Sequence, residues 1–106
     1  ALGMTLPEDY IVYSFVSASP HFDLGNIFLS QKKFKDAISH YKEAVKIKPK
    51  YAAAHNNLGN ALVQEGKIKE AIAHYRKALS ISPDLIEARK NLELAIRVYG
   101  EAGESK

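Results

Sequence analysis

The sequence contains no cysteine and no tryptophan among its 106 residues. Without cysteine there can be no disulfide, no thiolate zinc site and no cysteine nucleophile. No apolar run approaches the roughly 18–20 residues of a membrane-spanning helix, and the longest candidate, residues 10–16, is far too short. Glu8 and Asp9 stand where a secretory signal peptide would carry basic residues. We therefore expect a cytoplasmic protein with no membrane span.

Neither sign of charge dominates the sequence, because 15 basic residues are nearly balanced by 12 acidic residues and the net charge is only +3. The excess lies in residues 18–51, which carry seven lysines against three acidic residues. We interpret these lysines as a solvated surface. The sequence predicts no nucleic-acid partner.

What the chain does contain is an internal repeat. When positions 18–51 are aligned with positions 52–85, 14 of 34 sites are identical and no gap is needed. A third, partial copy follows at 86–100. A period of this length is typical of helical repeat proteins, in which each unit buries its apolar face against the next.

The apolar spacing within each copy is helical. In the second copy, Ala54, Leu58 and Leu62 fall on one face of a first helix. Gly66 then suits a left-handed turn, and a second apolar stripe from residue 71 to 79 ends before Pro83. Each copy is thus predicted to be a pair of antiparallel helices, with Gly59 and Ala71 allowing close approach of the two backbones.

This pattern resembles the tetratricopeptide repeat, which has Leu-Gly, a large apolar residue, alanine, an aromatic residue, alanine and proline at fixed positions. The first copy supplies Leu24, Gly25, Phe28, Ala37, Tyr41, Ala44 and Pro49, and the second supplies Leu58, Gly59, Leu62, Ala71, Tyr75, Ala78 and Pro83. His21 and His55 replace the usual tryptophan. The string from His55 to Asn60 is most similar to arrays of the O-linked N-acetylglucosamine transferase type.

The resemblance implies an all-α, right-handed solenoid of helical hairpins. We expect full repeats at 18–51 and 52–85, a capping helix at 86–100 and a flexible tail at 101–106. Glu93, where the other copies have glycine, fits a solvated terminal helix, whereas Gly100 at the turn position leaves a longer array possible. Residues 1–17 do not fit the repeat. They are expected to cover the first helix, to lie in a peptide groove of the same or a neighbouring chain, or to form a leader.

The four histidines do not indicate a metal site. His21 and His55 occupy one position in successive repeats, as do His40 and His74. Neighbouring helices pack about 8–10 Å apart, too far for equivalent positions to share one zinc ion. The sequence also lacks HExxH, GxSxG and a glycine-rich phosphate loop. We therefore predict no metal, no cofactor and no catalytic site.

In the family, the first helices line a concave groove, and the equivalent stripe here is rich in asparagine. Carboxamides both donate and accept, so a ladder of them can pair with the backbone of an extended peptide. The alternative is that these asparagines bond to the repeat's own backbone and fix its superhelical shape. The candidate peptide-binding residues are Phe22, Asp23, Asn26, Asn56, Asn57, Asn60, Val63, Gln64, Lys90, Asn91, Leu94 and Arg97.

The sequence lacks the residues for one known binding mode of the family. Cochaperones of this type hold acidic chaperone tails in a carboxylate clamp, whose asparagines match Asn26 and Asn57. Its cationic positions are occupied by Phe22, Glu87 and Asn91, which cannot pair with a terminal carboxylate.

The sequence therefore predicts a non-enzymatic protein–protein interaction module that binds an extended peptide segment. Two alternatives stay open. The chain can be the substrate-recruiting part of a larger enzyme, or a structural unit that forms homo-oligomers through residues 1–17.

Overall fold

The chain folds into a stack of helical hairpins. The computed structural model describes residues 17–103, with side chains through residue 100. This range contains no strand and consists of five helices: α1 (Ala18–Ser30), α2 (Phe34–Ile47), α3 (Ala52–Gln64), α4 (Ile68–Ile81) and α5 (Ile86–Gly103). Consecutive helices pack together, and α3 also contacts α1 and α5. The predicted all-α repeat fold is confirmed, and α3 and α4 begin and end at the same repeat positions as α1 and α2.

Both hairpin turns use the same backbone conformation. Lys32 has a φ of 61° and Gly66 a φ of 78°. In each turn the backbone N–H that follows this residue returns to a carbonyl of the first helix, from Lys33 to Phe28 and from Lys67 to Leu62, both at 2.9 Å. The second turn has the glycine that the sequence predicts for a left-handed position, whereas the first places a lysine there at a conformational cost.

Glycine on the first helix of each repeat admits an aromatic ring from the second. A Cβ atom on Gly25 would lie 2.5 Å from Tyr41, and one on Gly59 would lie 2.5 Å from Tyr75. Tyr41 is fully buried and Tyr75 nearly so. The predicted close approach of the two helices is thus confirmed, and Ala71 is fully buried at the same interface.

Equivalent apolar positions on the first helices differ in burial. Leu58 and Leu62 on α3 are fully buried, whereas Leu24 on α1 is 40% exposed and Ile96 on α5 is 42% exposed at the equivalent positions. Both end residues lie on faces that a neighbouring repeat would cover in a longer array. Glu93, at the position of the two packed glycines, is exposed.

The predicted segment boundaries at the two ends of the chain can be compared with the structure only in part. Helix α5 passes through Gly100 and ends at Gly103, so the predicted boundary at residue 100 is three residues too early. The rest of the predicted tail, residues 104–106, lies outside the described residues. So does the predicted N-terminal segment except for Ser17, whose Oγ accepts a hydrogen bond from the backbone N–H of Ser19 and caps α1.

None of the described helices combines the length and the apolar character that crossing a bilayer would require.

Candidate functional site

The first helices α1, α3 and α5 carry the predicted groove residues, and four of their asparagines form one hydrogen-bonded chain. Asn57 Nδ2 donates to Asn26 Oδ1 at 2.9 Å, joining α3 to α1. Asn56 Nδ2 donates to Asn57 Oδ1 at 3.2 Å. Asn91 Nδ2 then donates to Asn56 Oδ1 at 3.1 Å, joining α5 to α3. We call this set of four residues the asparagine network.

Buried tyrosines fix the orientation of two carboxamides. The Tyr41 hydroxyl donates to Asn26 Oδ1 at 2.5 Å, and the Tyr75 hydroxyl donates to Asn60 Oδ1 at 2.6 Å. Burial raises the pKa of both tyrosines to about 12, so each remains a protonated donor at neutral pH. In both repeats the asparagine oxygen is therefore turned toward the tyrosine.

The orientation leaves amide donors available in the groove. Within the described residues, the Nδ2 groups of Asn26 and Asn60 make no hydrogen bond, and both side chains are half-buried. Because their oxygens are already engaged, these residues present N–H groups to a ligand. At the other end of the network, Asn91 Oδ1 is the corresponding unused acceptor.

The alternative that the asparagines bond to the repeat's own backbone is not what the structure shows. Every described hydrogen bond of these carboxamides goes to another asparagine or to a tyrosine hydroxyl. The network nevertheless joins three first helices, so it has a structural role as well as a surface in the groove.

Asn56 is a correction to the predicted site. Its side chain is only 2% exposed, and both of its amide atoms are occupied by Asn57 and Asn91. It links two helices beneath the groove and is not placed to contact a ligand. The sequence could not show this difference in burial, because Asn56 and the half-buried Asn57 are adjacent residues that both belong to the predicted groove stripe.

The other predicted residues divide into three groups. Phe22 is half-buried between the rings of Tyr41 and Tyr51, so it contributes to the core as well as to the groove wall. Exposed charged side chains flank the groove at Asp23, Lys90 and Arg97. The remaining five, Asn60, Val63, Gln64, Asn91 and Leu94, line one pocket.

Sequence reasoning missed that the histidines pair within each repeat. Nδ1 of His21 lies 3.2 Å from Nδ1 of His40, and Nδ1 of His55 lies 3.1 Å from Nδ1 of His74. In the second pair the ring centroids are 5.3 Å apart, so the rings meet edge to edge. The spacing between the two histidines is the same in both copies, and this was the signal in the sequence.

A hydrogen bond from His55 Nε2 to the Pro49 carbonyl at 2.8 Å fixes the proton positions of the second pair. Since Nε2 carries the hydrogen, Nδ1 of neutral His55 is an acceptor, and His74 donates to it. A structural zinc ion takes four protein ligands, and each histidine pair supplies only two nitrogens. The observed spacing fits a hydrogen bond, and the described residues contain no group of three or more side chains placed to hold a metal ion.

Comparison with known proteins agrees with this architecture. The crystal structure of MamA superimposes with a TM-score of 0.78 at 28% identity, covering 88% of this chain and 54% of that one. A second MamA structure gives 0.78 and 28%, covering 92% and 53%. This chain thus spans about half the length of MamA.

The yeast Sti1 TPR2B domain in complex with pHsp70 superimposes with a TM-score of 0.77, covering 82% of this chain and 70% of that one. Its identity of 24% shows a shared fold alone. No curated protein matches the chain in sequence.

Family models match the repeats directly. A model described as TPR repeat matches residues 25–64, and one described as tetratricopeptide repeat matches residues 52–85. Together they cover residues 25–85, which is more than half of the chain. Repeats of this kind generally mediate protein–protein interactions and are typically non-catalytic scaffolds. The chain belongs to the tetratricopeptide repeat family.

Proposed function

We propose that this chain is a non-catalytic module that binds an extended peptide segment in the groove formed by α1, α3 and α5. The observation that carries the proposal is the orientation of Asn26 and Asn60. Tyrosine hydroxyls occupy their oxygens, so both have an amide N–H group that makes no hydrogen bond among the described residues and that can be offered to a ligand. Successive backbone carbonyls of an extended peptide are the natural acceptors for such donors.

The asparagine network supports this proposal energetically. Each carboxamide is held by one or two described hydrogen bonds before any ligand arrives. Less side-chain entropy is then lost on binding than for freely rotating asparagines, and this pre-organisation favours affinity.

The test uses isosteric substitutions that remove only the free donors. Asn26→Asp and Asn60→Asp keep an oxygen for the tyrosine hydroxyl but replace Nδ2 by a second oxygen that repels a peptide carbonyl. Nine-residue random peptides displayed on phage are selected on the wild-type chain. We expect each substitution to weaken the selected peptides by about 5- to 30-fold, the equivalent of about 1–2 kcal/mol, with little change in thermal stability.

Ser39→Asp on the exposed face of α2 adds the same charge away from the groove and serves as the matched control. If no peptide is enriched, or if the enriched peptides bind both asparagine variants and the control equally, the proposal is wrong. Alanine at Asn57 is a poorer test, because it would break the asparagine network and mix the loss of a ligand contact with a loss of stability.

Two alternatives follow from other observations. The chain spans about half of MamA, which is compatible with the alternative that it is a substrate-recruiting segment of a larger enzyme. The predicted likeness of residues 55–60 to transferase arrays motivates that alternative and stays a prediction. The exposed Leu24 and Ile27 on α1 are compatible with a self-associating unit. Full gene length tests the first, and sedimentation over a range of concentrations tests the second. The cytoplasmic location stays a prediction.

A further inference from the structure

The groove has two equivalent junctions between repeats, and they differ in chemistry. The first junction lies between α1 and α3, and the second between α3 and α5. At the second junction is a pocket of about 280 Å³, called here the junction pocket. It is lined by Asn60, Val63, Gln64, Ile68, Tyr75, Asn91, Leu94, Ala95 and Val98.

Two positions on α5 are more apolar than their equivalents on α3. Leu94 occupies the repeat position that Asn60 has in the preceding copy, and Val98 occupies that of Gln64. The lining that α5 contributes to the junction pocket is therefore more apolar than the same positions on α3 would make it. The two aliphatic side chains are 54% and 44% exposed, so they are accessible and are not part of the core.

The size of the junction pocket fits one large side chain. A cavity of about 150 Å³ is enough to bind benzene, whereas small-molecule sites typically have about 300–1,000 Å³. The pocket falls between these values, so it can hold a leucine, methionine or phenylalanine side chain and is small for a cofactor. None of its lining residues is charged, and a charged side chain buried there would lack an ionic partner.

The polar rim indicates how that side chain is presented. Among the described residues, Asn60 Nδ2 is an unused donor and Asn91 Oδ1 an unused acceptor. A backbone carbonyl and a backbone N–H are the complementary pair, and an extended peptide carries both beside each side chain. A free hydrophobic molecule would satisfy neither group.

We infer that the junction pocket is a specificity site that takes one large uncharged apolar side chain of the bound peptide. This inference rests on the proposed peptide-binding function and adds a sequence preference to it. The ligand is thus an extended segment with a leucine, isoleucine, methionine or phenylalanine anchor.

The experiment exchanges residues between equivalent positions of two repeat copies. Leu94→Asn with Val98→Gln copies onto α5 the residues that α3 has at the equivalent positions, and both sites are exposed. Random nine-residue peptides displayed on phage are selected on the wild-type chain. We expect the selected peptides to share one large apolar residue. Replacing that residue by alanine should lower the affinity for the wild-type chain by about 10- to 100-fold, and the unchanged peptide should bind the double variant more weakly by a similar factor. On the double variant, the alanine replacement in the peptide should then lower the affinity little further.

The outcomes separate this inference from the proposed function. Enriched peptides without an apolar preference, but sensitive to Asn60→Asp, would leave the groove proposal standing and overturn the pocket. An apolar preference that persists in the double variant would place the anchor elsewhere and also overturn it. Failure to enrich any peptide contradicts both. If the double variant changes the sedimentation of the peptide-free chain, the face is an interface between copies and the inference is wrong.

Discussion

Acidification is expected to destabilise the fold through the His55–His74 pair. Burial lowers the pKa of both histidines below the ordinary value of 6.5. Lys77 on α4 lowers the pKa of His55 further, while the Pro49 carbonyl opposes this. For His74, the charges of His55 and of Lys42 on α2 act in the same direction as burial, and Glu70 on α4 opposes them.

The magnitude follows from proton linkage. Between pH 6.5 and the lower folded pKa, the unfolded chain binds protons that the native pair does not. Stability is therefore fully present above about pH 6.5 and is lost as the pH falls. If the native pair binds one proton fewer than the unfolded chain, the free energy of unfolding falls by at most about 1.4 kcal/mol at pH 5.5. Solvent around the half-buried His74 reduces this loss.

A substitution at His74 tests the mechanism. His74→Gln removes one titrating ring, and its amide can donate to neutral His55 or accept from the protonated form. Urea unfolding followed by circular dichroism at pH 7.5, 6.5 and 5.5 gives the free energy of unfolding. We expect the wild-type chain to lose stability between pH 6.5 and 5.5 and the variant to lose clearly less. Lys69→Gln, an exposed change on the same helix, controls for loss of a cationic group. Parallel pH dependence in the wild-type chain and His74→Gln would refute the reasoning.

Three further predictions concern the helix pairs and their turns, each measured as the free energy of unfolding in urea. Gly59→Ala should cost about 1–2 kcal/mol, because the clash with the Tyr75 ring outweighs the gain of about 1 kcal/mol in helix propensity; an unchanged midpoint would contradict the packing. Lys32→Gly should stabilise the chain by about 1 kcal/mol and Gly66→Ala should destabilise it similarly, because both residues have positive φ; changes of the same sign would be incompatible with this. Tyr75→Phe should cost about 0.5–1.5 kcal/mol, because it removes the only described hydrogen bond to Asn60, and stability equal to the wild-type value would show that water replaces it.

The repeat period makes most of the fold predictable from this one sequence. Apolar spacing and Gly66 define the helices and the second turn, and the prediction of close approach at Gly59 was confirmed. The extent of α5 was not predictable from glycine alone. Gly66 in the preceding copy has a positive φ and ends its helix, whereas the equivalent Gly100 lies within α5, which ends at Gly103.

The hydrogen bonds of the candidate site were not predictable from the sequence. The stripe predicts Asn26, Asn56, Asn57 and Asn60 as groove residues, but it did not show that Asn56 is only 2% exposed. That difference depends on the rotation and offset between stacked repeats, which determine whether Asn91 reaches Asn56 or Asn57. Such offsets arise from packing between helices distant in sequence, so a pattern within one helix does not contain them.

If the groove binds a peptide as proposed, the asparagine network also decides which partner loses more conformational freedom. Since the carboxamides are already held in place, that loss would fall mainly on the peptide. Ligands that are stiff before they bind, for example through proline outside the hydrogen-bonding positions, are then favoured over flexible ones of equal contact area. The groove would discriminate among partners by their conformational freedom as well as by their side chains.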